Sequence, residues 1–227
     1  MACVRHYRYV RKPIALTLAL SFAGMLRASE HASIVKEDVP DTPVLVQLYL
    51  PGPIPYVAAA REVASEILGE TGIDVRWAEC ASSTKPANRT GDCAADAEDL
   101  VIAMRLEPDV QFEYKPGVLG ETLPFRDSPV PSRIFINRVR SSHGMHAGAR
   151  LLGHVFAHEI GHVLLESDWH SDRGLMARRW NARELAEMAY SALTFSPTEI
   201  RMMHRAMSTR VARHPQTKSP LSAEGLN

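Results

Sequence analysis

Five residues in the second half of the chain, His158-Glu159-Ile160-Gly161-His162, have the types and spacing needed to bind a metal ion and activate water. Side chains four residues apart lie one turn above each other on a helix, so both imidazoles would face one ion. Glu159 directly follows the first histidine, where its carboxylate can accept a proton from a metal-bound water. The motif therefore predicts His158 and His162 as ligands of Zn²⁺ and Glu159 as a general base.

The third ligand must come from outside the motif, because a catalytic zinc ion usually has three protein ligands and one open position for water. His170 and Asp168 both lie shortly after the motif, and a neutral imidazole suits zinc well. Glu184 or Glu187 would take this role if the site followed the pattern of two histidines and a carboxylate. We favour His170 and keep the three carboxylates as alternatives.

The residues that follow the motif resemble the zinc site of the metzincin metallopeptidases. His170-Ser171 and then Gly174-Leu175-Met176 come after the two histidines. In matrix metalloproteinases of that clan, serine follows the third histidine, and a Leu-Met pair forms a methionine turn beneath the metal. The resemblance implies that His170 is the third ligand and that Met176 packs under the metal without binding it. It also implies a zinc-dependent endopeptidase that acts on peptide or protein substrates.

A second resemblance covers more of the chain, from Cys80 to the last predicted helix. This stretch is similar to a family of exported bacterial proteins of uncharacterised function, whose signature is HE-(I/L)-GH-x-LL followed by HS-x-x-G-(I/L)-M-x-x-x-W. Trp180 fits the last position of that signature. The sequence departs from metzincins at Leu165 and Asp168, where that clan has a glycine and the third ligand. We therefore expect the chain to leave the motif helix along a different path.

Two neighbouring segments bear on the same site. His154 lies one turn before His158 on nearly the same stripe of the predicted helix, and we expect a core or supporting histidine rather than a ligand. Arg133–Val139 is predicted as a strand that precedes the motif helix, as the substrate-pairing edge strand does in metzincins. A peptide would then add to that strand through backbone hydrogen bonds.

The first residues of the chain have the three parts of a secretory signal peptide. Four basic residues between Met1 and Lys12 precede the uncharged apolar run Pro13–Leu26, and the small residue Ala28 follows. We predict that residues 1–28 are a cleaved signal, with a retained N-terminal anchor as the alternative. The protein would then be secreted or periplasmic, with no stable membrane anchor.

The charge balance argues against one class of partner. The whole chain has 26 basic and 26 acidic side chains, and removal of residues 1–28 leaves a net charge of −5. A nucleic-acid binder would show a strong basic excess, so no nucleic-acid partner is expected.

Cys80 and Cys93 are the cysteines that remain after that cleavage, and they flank a polar stretch. In a chain sent to an oxidising compartment, such a pair predicts one disulfide that closes a surface loop. Two free thiols are the alternative.

Apolar periodicity and turn residues divide the rest of the chain into strands and helices. The predicted strands cover 44–50, 73–79, 100–106 and 133–139, and the predicted helices cover 56–70, 146–165, 181–193 and 197–210. This order predicts an α+β fold of the zincin kind, with a twisted mixed sheet of about four strands, a long active-site helix, a methionine turn and C-terminal helices. We expect a metzincin-like catalytic domain at 29–210 and a disordered tail at 211–227.

Together these features predict a monomeric, exported zinc metallopeptidase. Length and composition agree with one globular domain and exclude a small disulfide-built scaffold. The alternative is an exported zinc-binding or interaction protein that keeps the same scaffold without turnover, because Glu159 can be present in a site whose cleft is blocked.

Overall fold

The computed structural model describes residues 42–81, 93, 100–108, 117–123, 132–142 and 145–213. The strands in these ranges are β1 (Val44–Leu50), β2 (Val75–Ala81), β3 (Leu100–Glu107), β4 (Gly120–Thr122) and β5 (Ser132–Phe135). The helices are α1 (Val57–Gly69), α2 (Ile136–Ser142), α3 (Met145–Leu165), α4 (Ala182–Glu187) and α5 (Pro197–Arg213). The predicted signal peptide and the residues from 214 onward lie outside the described residues, and the predicted domain limits stay predictions.

The described strands form one mixed sheet in the order β2-β1-β3-β5-β4. β1 pairs in parallel with β2 and β3, and β3 pairs in parallel with β5, whereas β4 runs antiparallel to β5. β1 is a central strand that is buried over most of its length, which explains its nearly continuous apolar sequence. The α+β fold class is confirmed, and the sheet has one strand more than the number predicted.

The prediction of a strand over Arg133–Val139 is wrong in its second half and in its place in the sheet. The strand covers Ser132–Phe135, and the chain continues directly as α2. Ile136 and Val139 are both buried, and their spacing suits one face of a helix. β4 covers the outer side of β5, so β4 is the edge strand at this end of the described sheet. Because β4 has only three residues, it leaves no periodic signal in the sequence.

Helix α3 carries the HExxH motif and packs closely on α1. A Cβ atom at Gly153 would lie 2.6 Å from Cβ of Val63 and 2.8 Å from the carbonyl oxygen of Ala60, so only glycine allows this approach. The ring of Phe156 on α3 lies 5.5 Å from the ring of Trp77 on β2, measured between centroids. These contacts fix α3 in the core, and the motif near its end has a defined orientation.

The segment after the motif differs from the prediction of a helix at 181–193. α4 ends at Glu187, whose carbonyl accepts hydrogen bonds from the N–H groups of Tyr190 and Ser191 in a turn. The N–H of Leu193 donates to Nε2 of His154 over 3.0 Å. The backbone N–H of Leu193 is thus satisfied by the side chain of His154 on α3 and not by a helical carbonyl.

The N-terminus of α5 has the predicted capping box. The N–H of Glu199 donates to Oγ of Ser196 over 3.3 Å, and the N–H of Ser196 donates to a carboxylate oxygen of Glu199 over 2.6 Å. The helix continues to Arg213, three residues beyond the predicted end at 210.

The predicted disulfide is confirmed. Cys80 at the end of β2 is bonded to Cys93, with 5.6 Å between their Cα atoms. Closing a loop of this length stabilises the fold by about 3 kcal/mol on the chain-entropy estimate. Among the described helices, none combines the length and the apolar character needed to cross a membrane.

Candidate metal centre

Two histidines on α3 present ring nitrogens toward each other. Nε2 of His158 lies 3.1 Å from Nε2 of His162. Nδ1 of His158 lies 2.8 Å from the carbonyl oxygen of Leu175, and Nδ1 of His162 lies 2.8 Å from that of Ser167. Because a carbonyl oxygen only accepts, each Nδ1 carries the proton and donates it. Each Nε2 therefore has a lone pair available for a ligand.

Burial keeps both rings uncharged. Loss of water contact lowers the pKa of His158 to about 3, and it lowers the pKa of His162 to about 4. At neutral pH the two facing nitrogens are therefore unprotonated. Neutral imidazole nitrogens are the form that binds zinc.

His170 joins these two residues in a group of three. One ring nitrogen of each histidine lies within 4.8 Å of the others, so the group could hold a metal ion. Nδ1 of His170 is buried without a hydrogen-bond partner among the described residues. Buried polar atoms normally have a partner. The orphaned nitrogen and the two facing lone pairs fit a zinc ion bound by three imidazoles.

The carboxylates considered as alternatives do not belong to this group of three. Asp168 lines the same cleft, but its side chain is exposed, and it is not part of the group of three found among the described residues. Glu184 closes the capping box of α4, where its carboxylate accepts from the N–H groups of Asn181 and Gly174. Glu187 is exposed on α4. The structure thus brings His170, and none of these carboxylates, to the two histidines of α3.

The chain leaves α3 through a residue in the left-handed conformation, Glu166, with a φ of 49°. Non-glycine residues adopt this conformation at a cost in free energy. The carboxylate of Glu166 accepts two hydrogen bonds from the guanidinium of Arg210 on α5, at 2.8 and 3.1 Å. The turn held in this way places the carbonyl of Ser167 on Nδ1 of His162.

A tight turn at residues 174–177 supports the first histidine. The N–H of Ala177 donates to the carbonyl of Gly174 over 3.2 Å, and Gly174 has a φ of 82°. Leu175 in this turn carries the carbonyl that orients His158. Its neighbour Met176 is fully buried and lies against Gly161, where a Cβ atom would meet the Met176 sulfur at 2.8 Å. The glycine inside the motif thus allows the methionine to approach α3 closely.

Trp180 and His154 lie near the group of three histidines without belonging to it. The indole N–H of Trp180 donates to the carbonyls of Gly174 and Leu175, at 3.2 and 3.3 Å, and its ring centroid lies 5.6 Å from that of His158. Nδ1 of His154 donates a hydrogen bond to the carbonyl of Arg150, and its Nε2 accepts one from the backbone N–H of Leu193. Both of its nitrogens are occupied by the fold, as expected for a supporting histidine.

Glu159 lines the same cleft as the three histidines. Its side chain is 4% exposed, and burial raises the pKa of its carboxyl to about 8. The hydroxyl of Thr122 on β4 lies 2.6 Å from Oε2 of Glu159 and opposes that rise by hydrogen bonding. The sequence had pointed to Glu159 but not to Thr122, because Thr122 lies in a segment without periodicity or motif.

The cleft has a volume of about 650 Å³. It is lined by β4 with its flanking residues 117–123, by the histidine group and by residues 177–180. Leu151, Val155 and Leu185 form apolar parts of its wall. The arrangement combines the edge strand of the described sheet, an apolar wall, a potential metal group and a buried carboxyl in one space.

No protein-family model and no curated protein matches this sequence. Among solved structures, the chain is similar to a zinc-dependent peptidase from Methanocorpusculum labreanum (strain Z), at 16% sequence identity over 70% of this chain and 99% of that chain, with a TM-score of 0.44. At so low a TM-score and identity, the function of this protein has to be inferred from its own side chains.

Proposed function

We propose that this protein is a zinc-dependent peptidase that acts outside the cytoplasm. The observation that supports it most directly is the group of three imidazoles in one cleft with a buried carboxyl. Three neutral nitrogen ligands leave a position on zinc for water, and peptide hydrolysis also needs a group that moves protons. Glu159 is suited to that second role.

His158, His162 and His170 would hold the zinc ion, which supplies Lewis acidity toward a water and the scissile carbonyl when bound. The carbonyls of Leu175 and Ser167 orient the first two rings through their Nδ1–H groups. Glu159 would accept a proton from the attacking water and pass it to the leaving amine nitrogen. Because Oε2 accepts a hydrogen bond from the hydroxyl of Thr122, Oε1 is the oxygen suited to this proton transfer.

The pKa of Glu159 suits a general base near neutral pH. Burial raises this pKa to about 8 in the metal-free protein. The positive charge of a bound zinc ion beside the carboxyl would lower it again. Proton acceptance and release are most efficient when the pKa of the group is close to the working pH.

The edge strand β4 supports a peptide as the substrate. β4 pairs on one side with β5, and its other side has no partner strand in the described sheet. An extended peptide can add along this edge through backbone hydrogen bonds, with its scissile bond over the cleft. The apolar wall that includes Leu151 and Val155 would accept an apolar side chain of that peptide.

Export and a monomeric state complete the proposal. The disulfide between Cys80 and Cys93 suits an oxidising compartment, in agreement with a signal peptide at residues 1–28. All three histidines and Glu159 belong to one chain, so a single copy contains the whole site.

The test combines metal analysis with a peptide-library digest of the exported protein. We expect one zinc per chain and defined cleavage products, and we expect Glu159→Gln to keep the zinc while lowering kcat by about a hundredfold to ten-thousandfold. Protein without stoichiometric zinc would contradict the site. Zinc retained with no cleavage by the wild-type protein would favour the alternative, an exported zinc-binding protein without turnover.

A further inference from the structure

We propose that Thr122 is a positioning residue that fixes the carboxylate of Glu159 in the cleft, supported by Ser132 on β5. This inference rests on the proposed peptidase function, because it concerns the orientation of the general base. Two observations support it: a chain of two hydroxyl groups that ends on Glu159, and the space that Gly120 leaves for the other carboxylate oxygen.

The hydroxyls of Thr122 and Ser132 form one directional chain that ends on Glu159. Oγ1 of Thr122 lies 2.6 Å from Oε2 of Glu159 and 2.9 Å from Oγ of Ser132. When Glu159 is ionised to act as the base, its carboxylate only accepts, so Thr122 then donates to Glu159 and Ser132 donates to Thr122. Thr122 and Ser132 stand directly opposite each other in the antiparallel ladder, and Ser132 is fully buried. The strand pairing thus sets the position of the hydroxyl that holds Oε2.

Gly120 on the same strand leaves room for the other oxygen of the carboxylate. A Cβ atom at this position would lie 2.7 Å from Oε1 of Glu159 and 3.1 Å from its Cδ. Positions 120 and 122 share one face of β4, because side chains alternate along a strand. The carboxylate therefore has the bare strand backbone against one oxygen and a hydroxyl donor on the other.

The same three-residue strand is the edge along which we propose that a peptide adds. Glu121, on the opposite face, lies 3.8 Å from the guanidinium of Arg133, which ties β4 to β5 a second time. A peptide paired to β4 would reduce the motion of Thr122 and hence of Glu159. Substrate binding and orientation of the base are coupled through this strand.

Thr122→Val and Thr122→Ser form a matched pair for the test, since the first removes the hydroxyl at nearly the same shape and the second keeps it. Both are measured in the zinc-loaded exported protein with a quenched fluorogenic peptide chosen from the library digest. We expect Thr122→Val to lower kcat by about tenfold to a hundredfold, with KM within about twofold of the wild type. Thr122→Ser should restore kcat to within about threefold, and both should keep one zinc per chain.

A second measurement does not depend on activity. The effects of Thr122→Val and Glu159→Gln on the unfolding equilibrium are measured singly and together, and we expect coupling of at least about fivefold in the unfolding constant. Ser132→Ala should lower kcat less than Thr122→Val does, because it removes only the outer member of the chain.

Several results would overturn the inference. They are unchanged kcat in Thr122→Val, a loss confined to KM, loss of zinc in Thr122→Val, no recovery in Thr122→Ser, or no coupling between Thr122 and Glu159. If the wild-type protein cleaves no peptide, the proposed function fails and this inference fails with it. A wild-type peptidase that is indifferent to Thr122 would overturn the inference alone.

Discussion

At the scale of single residues, hydrogen bonds to the rings decide which histidines of α3 are available to a metal. In His158 and His162, Nδ1 donates a hydrogen bond to a backbone carbonyl and Nε2 is left for a metal ion. In His154, both ring nitrogens have hydrogen-bond partners within the fold. Three of these four partners come from residues 167, 175 and 193, which lie outside α3, and the fourth is the carbonyl of Arg150 within α3. Three histidines spaced four apart on one helix therefore differ in which ring nitrogens are free, because of what packs around them.

The third ligand can be tested with a pair of single substitutions. We expect His170→Ala to lower zinc affinity by more than about a hundredfold, since even residues that only support metal ligands often cost tenfold to a hundredfold. Asp168→Asn should bind one zinc per chain with nearly wild-type affinity, because the Asp168 side chain is exposed outside the histidine group. Competition with a zinc chelator measures both. The opposite ranking would make Asp168 the ligand.

At the scale of elements, two glycines let other parts of the fold approach α3. Gly153 admits α1, and Gly161 admits Met176 and Phe195. Each glycine weakens the helix by about 1 kcal/mol relative to alanine. The closer packing offsets that loss, and at Gly161 it also places the turn whose Leu175 carbonyl orients His158.

Gly161→Ala should therefore destabilise the protein although alanine favours helix. The new Cβ would lie 2.7 Å from a ring carbon of Phe195 and 2.8 Å from the sulfur of Met176, so both must shift. Such overpacking costs about 1–3 kcal/mol, which equals or exceeds the gain in helix propensity. We also expect weaker zinc binding, because Leu175 moves with Met176.

Gly148→Ala on the same helix is the control, since no atom of the described residues lies within 4 Å of a Cβ atom there. It should raise the free energy of unfolding by up to about 1 kcal/mol. Urea denaturation compares the two variants. Equal stabilisation by both substitutions would show that Met176 does not press on α3.

At the scale of the whole molecule, the site buries ionisable groups whose pKa values are displaced in opposite directions. His158 and His162 are buried neutral bases, with pKa values of about 3 and about 4, and Glu159 is a buried acid with a pKa of about 8. Burying ionisable groups costs free energy of folding. A fold of this size can offset that cost through its hydrophobic core, which is formed by α1, α3 and the central strands. The stability of the metal-free protein should depend on pH accordingly.

Stability of the metal-free protein should be greatest near neutral pH and fall on both sides. Below this pH the unfolded chain binds protons at His158 and His162 that the folded chain excludes, so acid favours unfolding. The opposite holds for Glu159, since the folded chain keeps a proton that the unfolded chain releases above its ordinary pKa of 4.5. The contribution of Glu159 therefore declines as the pH rises from 4.5 to about 8, and it dominates once the histidines are neutral in both states.

Urea unfolding of chelator-treated protein across this pH range measures the effect. Glu159→Gln should remove the decline on the alkaline side and make the loss of stability in acid steeper above pH 4.5, because the opposing contribution of Glu159 is then absent. A wild-type profile that stays flat from neutral pH to alkaline pH would contradict the buried, protonated state of Glu159.

How much the sequence could predict differs between local and distant features. Regular spacing placed α1, α3, α5 and the three parallel strands β1, β2 and β3 within a few residues of their observed limits. It missed β4, whose three residues are too short for a pattern, and it extended β5 through Ile136 and Val139, which pack as one face of α2.

The sequence by itself determined the two histidines and the glutamate of the motif, because their relation follows from the helical repeat along a continuous piece of chain. Only the tertiary structure decided that His170 meets them, that β4 forms the edge of the cleft, and that Thr122 holds Glu159. The physical reason is the distance along the chain. Spacing within one helix is set by backbone geometry, whereas contacts between remote segments depend on how the whole core packs.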